Sequence, residues 1–191
     1  MLAHFIISMT SVILWLNVAA CHTTPMFPPT AVRDVSPDFN FKAWKEGMYD
    51  ISAQADRLPG KVQLGGEIFG VDQQSDETLI IGSMLPIVEH PKYGPKRLNR
   101  TPDSTFAIQF QKLTDATWLQ RGNFFIVIGQ PDGVRGVLVD DVPHNERHIV
   151  AQCIHIWKNQ GRDIASFPFE TGAGYYPLEE KTFCRPSTSR P

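Results

Sequence analysis

No apolar run in this sequence reaches the length usual for a bilayer-spanning helix. The one extended apolar run, residues 5–16 (FIISMTSVILWL), is twelve residues. As a helix that is about 18 Å at roughly 1.5 Å per residue, whereas a bilayer core takes about 20 apolar residues. Charge is also missing there: the first twenty residues contain no lysine, arginine, aspartate or glutamate. Catalytic signatures are absent as well. There is no Gly-x-Ser-x-Gly, no His-Glu-x-x-His and no phosphate-binding loop, so the sequence points to no enzymatic activity and no cofactor. Neither sign of charge dominates, with 18 basic against 20 acidic residues and a formal charge of −2. That balance gives no reason to expect a nucleic-acid partner. Cysteines are few: Cys21, Cys153 and Cys184.

What is present at the start fits an export leader. A short apolar heart followed by small residues is the pattern of a secretory signal. Here Val18, Ala19 and Ala20 precede Cys21. Positive charge ahead of the run can come only from the terminal amine and His4. "VAAC" resembles a bacterial lipobox. The resemblance implies diacylglyceryl transfer to the Cys21 thiol, cleavage before it, and acylation of the freed amine. An ordinary cleaved signal and an uncleaved anchor are the alternatives to this lipoprotein leader. Each buried CH₂ is worth about 0.8 kcal/mol, and more than one chain is needed for stable anchoring. The organisation expected is a signal peptide over residues 1–20, a lipidated Pro-rich tether over 21–40, a β domain over 41–158 and an irregular tail over 159–191.

Pro25, Pro28, Pro29 and Pro37 make residues 22–40 read as an extended, semi-rigid spacer. Phe41, Trp44 and Met48 recur at helical spacing and predict a short helix within residues 41–57; Gly47 weakens it. From residue 60 the period becomes two. In KVQLGGEIFG, Val62, Leu64 and Ile68 share one face. Gly65 and Gly66 interrupt that strand, which suggests a barrel corner. Further strands follow in ETLIIGSMLPI, STFAIQFQK and NFFIVIGQ, the last apolar on both faces. DGVRG reads as a turn, VLVDD as a short return strand and HIVAQCIHIW as the last long one. About six closely spaced strands predict a mainly β fold: a small, OB-like, partly open β-barrel.

These strands, taken in order after the lipobox, resemble the Slp/YeaY family, the starvation-inducible outer-membrane lipoproteins of Gram-negative bacteria. The pieces that carry the likeness are GKVQLGGEI (60–68), TLIIGSMLPI (78–87), RGNFFIVIGQPDGV (121–134) and HIVAQCIHIW (148–157). Within the third, Gly122, Val127 and Gly129 match the family's glycine–valine–glycine spacing; the fourth ends in Trp157. The resemblance implies an OB-like domain on the periplasmic face of the outer membrane. It also implies attachment to outer-membrane lipid through Cys21, no catalytic activity, and a structural or binding role linked to starvation or stress. His22, rather than aspartate, follows the cysteine, which favours the outer membrane.

Three further groups call for weighing. Cys153 and Cys184 could form a disulfide in an oxidising compartment, worth roughly 3 kcal/mol for a loop of about 30 residues; the alternative is a buried and an exposed free thiol. Asp140, Asp141, His144 and His148 could be offered as metal ligands or as a catalytic base, but DDVPHNERH reads better as a solvated loop, so no metal is expected. Lys92, Lys96, Arg97 and Arg100 surround Tyr93. They read first as a solvated loop and next as a contact for anionic lipid headgroups or another polyanion of the envelope; envelope proteins are candidate partners of the chain as a whole. A soluble periplasmic binding protein for a small ligand or oligosaccharide is the second reading, with Tyr93, Trp118 and Trp157 as stacking residues.

Overall fold

The computed structural model describes residues 25–47, 60–89, 91, 93–96, 104–111, 113, 115–139, 142–162 and 178–186. Its frame is one six-stranded sheet with apolar clusters on both faces. The strands are β1 (Val62–Gln73), β2 (Glu77–Leu85), β3 (Thr105–Gln111), β4 (Phe124–Val139), β5 (Val142–Trp157) and β6 (Glu180–Cys184). Neighbours run antiparallel in the order β3-β2-β1-β4-β5-β6. One pairing is parallel. Ala107, Ile108 and Gln109 of β3 meet His148, Ile149 and Val150 of β5, and this closes β1, β2, β3, β5 and β4 into a ring. β3 occupies β5's outer edge at His148 to Val150, and β6 takes the same edge farther on, from Cys153 to Trp157. The mainly β, ring-like architecture agrees with the sequence reading.

The ring's interior holds Leu64, Ile68, Ile80, Phe106, Ile108, Phe125, Val127, Ile154 and Ile156. Gly66 and Gly82 lie against the Phe125 ring. A Cβ built on either would stand 2.5 Å and 2.6 Å, respectively, from Phe125 Cζ. Close approach of an aromatic ring, rather than a corner, is what Gly66 serves. The irregularity in β1 lies beyond it, where the register against β2 skips Phe69 in the manner of a β-bulge.

β4 is covered on both faces, as its unbroken apolar run predicts. Phe125 and Val127 enter the ring. Phe124, Ile126 and Ile128 face outward into a second cluster with Phe27, Ala31, Leu85, Cys153 and Trp157. The turn expected at DGVRG is not a turn. β4 continues through it, and the register skips only Gly133 between Asp132 and Val134. The short return strand is therefore the far end of β4, and β5 begins six residues earlier than HIVAQCIHIW suggested. Together they form a long arm whose Val137 packs on Leu79, Ile81 and Ala107 of the outer β2–β3 surface. Arg135 pairs with Glu77. Glu146, buried on the arm, pairs with Lys45 and accepts from the Thr105 hydroxyl at 2.9 Å.

The predicted helix is α2 (Phe41–Lys45), started by the Asn40 side chain accepting from Ala43 N at 3.0 Å. Gly47 ends it at φ +78, in the left-handed region where glycine is favoured; Met48 lies outside the described residues. Trp44 is fully buried in the ring cluster. The segment read as an extended spacer is instead partly packed. It contains a helical turn, α1 (Pro29–Val32), with proline at its first position, where the missing N–H costs nothing. Phe27 and Ala31 are buried beneath it.

Candidate functional site: the root of the anchor

β5 and β6 pair with Cys153 opposite Cys184, His155 opposite Thr182 and Trp157 opposite Glu180. Every second residue shares a face, so these six stand together on the sheet's outer surface. Cys153 and Cys184 are joined by a disulfide. The Thr182 hydroxyl donates to the Met26 carbonyl at 2.8 Å and lies 2.6 Å from His155 Nδ1. A hydroxyl has one hydrogen. With that hydrogen spent on Met26, Nδ1 must be the donor to Thr182, and the neutral ring leaves Nε2 bare. Glu180 Oε2 stands 3.6 Å from Nε2, close enough to pair once the ring is protonated.

His155 is walled by Trp157, with ring centroids 4.3 Å apart, and by Phe27 at 6.3 Å. This burial pushes its pKa below the ordinary imidazole value, while Glu180 opposes the shift. The imidazole is thus neutral near pH 7. A second fastening holds the same segment. Lys61 Nζ donates to the carbonyls of Thr30 at 3.1 Å and Arg33 at 2.8 Å, and Ser36 N donates to Lys61 O at 2.9 Å. Residues 26–36 are therefore tied at one end to β6 and at the other to Lys61, just ahead of β1. Cys21 itself lies outside the described residues.

Among the described residues, the other sequence candidates do not converge. Asp140 and Asp141 lie outside the described residues. His144 and His148 sit on β5 rather than in a loop. Four strand steps separate them, about 13 Å at roughly 3.3 Å per step, too far to share an ion. His148 is buried and faces Asp132 at 3.3 Å, and no described group of three or more His, Cys, Asp or Glu could hold a metal. Trp157 is fully buried. Trp118 packs edge-on against Phe183, under Lys158 at 4.2 Å. Neither has a face open for stacking a ligand. Of the basic cluster, Lys96 is exposed, while Lys92, Arg97 and Arg100 lie outside the described residues. Gly94 lies over Phe124 and Trp157, so Tyr93's loop helps cover the outer cluster.

Sequence reasoning missed one feature, an open groove of about 770 Å³ between residues 37–42 and the β1–β2 pair. Phe39, Phe41, Leu64, Met84 and Ile87 line it. Phe39 and Phe41, close together just past the prolines, were the available signal.

The family model described as the outer membrane lipoprotein Slp family matches residues 18–182. The chain belongs to that family. The match opens at Val18, the first residue of VAAC, and closes at Thr182, the residue that binds Met26. No curated protein and no solved structure matches the chain at a significant level. No helix among the described residues is long and apolar enough to cross a membrane.

Proposed function

We propose that this Slp-family chain is a non-enzymatic lipoprotein. Acyl chains on Cys21 hold it to the outer membrane, facing the periplasm, and it has a structural or binding role during starvation or stress. The observation that carries this reading is the family match beginning at the lipobox-like stretch. The apolar leader, too short to span, supports it. Intact mass of the membrane-extracted protein tests it. Loss of residues 1–20 with a lipid mass on Cys21 is expected, and Cys21→Ser protein should leave the membrane fraction. An unmodified Cys21, or unchanged fractionation of that variant, overturns it.

A small-ligand role is a second reading, favoured by the groove beside Phe39 and Phe41. Pockets of this size lined mainly by apolar side chains suit apolar ligands. A thermal-shift screen with fatty acids should raise the melting temperature, and Met84→Trp should abolish the effect; no shift for any acyl ligand removes this reading.

A further inference from the structure

We infer that the outer layer formed by residues 25–33 is the face that rests on the phospholipid headgroups of the anchoring membrane, and that it sets the orientation of the whole domain. The inference rests on the anchored reading above. It starts from chain length. Three residues lie between Cys21 and Pro25, and the four residue steps that join them span at most about 3.6 Å each, or about 14 Å in all. Pro25 is already at the surface of the fold, because its neighbours Met26 and Phe27 are fixed. Met26 is bonded to Thr182, and Phe27 is buried against the outer face of β4 and β5. At most about 14 Å of chain therefore lies between the acylated residue and the folded domain.

The chemistry of this layer suits that position. Residues 25–32 (PMFPPTAV) contain no ionisable side chain. Phe27 and Ala31 turn inward, while Pro25, Pro28, Pro29, Thr30 and Val32 are exposed. The exposed set is small, mostly apolar and continuous with the acylated residue. Arg33 follows at its edge, exposed, where a guanidinium can meet a phosphate. Thr182 and Lys61 fasten the layer at both ends, so it cannot peel away to lengthen the tether. The β4–β5 arm lies elsewhere. Its Val137 packs on the outer surface of β2 and β3, and neither strand neighbours β4 in the ring.

Val32 and Leu138 give a matched pair of probes. Both are exposed, at 45% and 53%, one on the layer and one on the arm. Full-length acylated protein carrying Val32→Cys or Leu138→Cys is labelled on the added thiol with a fluorophore. It is reconstituted in vesicles of phosphatidylethanolamine with a minority of phosphatidylglycerol, some of it nitroxide-labelled on the headgroup. Flotation is measured first and quenching second. The expected result is that both proteins float and the Val32 label is quenched several-fold more than the Leu138 label. Thr30→Cys, also exposed, replaces Val32→Cys if that variant does not fold. Flotation with equal or reversed quenching overturns the orientation and leaves the anchor standing. Failure to float, with no lipid mass on Cys21, overturns both.

Discussion

Met26 and Thr182 stand 156 residues apart in sequence and share a hydrogen bond of 2.8 Å. The same hydroxyl receives His155, so one threonine ties Met26 to β6 and to the β5 strand beside it. Removing that hydroxyl strands two partners at once. Thr182→Val leaves the Met26 carbonyl and His155 Nδ1 without their hydrogen bond, and a buried group so deprived costs about 1–3 kcal/mol. Urea unfolding should show that loss, and limited proteolysis should cut within residues 25–36 faster than in the parent. Unchanged cutting would mean that the layer is held by Phe27 and Lys61 alone.

The Phe125 ring occupies the space that side chains at Gly66 and Gly82 would need. Gly66→Ala should destabilise by about 1–3 kcal/mol, the usual cost of overpacking. Phe125→Leu in the same protein should recover part of it, because the two sites share one volume. Strictly additive losses in a double-mutant cycle would refute the shared-space account.

β6 is five residues long, and its disulfide to β5 supplements few hydrogen bonds. Cys184→Ser with Cys153→Ser should cost about 3 kcal/mol. The loss should extend to the N-terminal layer, because Thr182 lies two residues from Cys184. Hydrogen exchange at Phe27 and Ala31 reports it; exchange confined to β6 would separate the two.

The buried imidazole of His155 makes stability depend on pH with a definite sign. Its pKa is lower in the folded protein than in the unfolded chain, so between the two values the unfolded chain binds more protons. Stability contributed here is full above the unperturbed value of about 6.5 and declines as pH falls below it. The urea midpoint should drop on acidification from pH 7, and His155→Gln should flatten that drop. An equal slope in the variant would assign the pH response to other groups.

Much of this was legible because the sequences of β1 and β3 alternate apolar and polar residues, even though most residues of both strands are covered. β4 was legible for the opposite reason, being apolar on both faces. DGVRG misled because a bulge and a turn draw on the same residues. Gly133 is skipped in the register and its N–H donates to the Asp132 side chain at 2.8 Å, a local device that turns also use. The true reversal falls between the paired Val139 and Val142. β6 was illegible because EKTFC is too short to show a period. The proline-rich layer was misread because composition reports what a segment cannot form. It does not report that Phe27 and Ala31 find a surface to cover. His155, Thr182 and Met26 carried no motif at all, because their meeting is a product of strand register.

The bond between Met26 and Thr182 also fixes an order of events. A chain delivered amino end first, from a ribosome or through a membrane pore, presents residues 25–33 long before the strand that holds them exists. Their docking surface needs β4 and β5, and their fastening needs β6, which is completed only at Cys184. Residues 25–33 must therefore wait, unlatched, until the chain has arrived as far as Cys184. The contact that finishes the fold is also the one that keeps a half-delivered chain from finishing early.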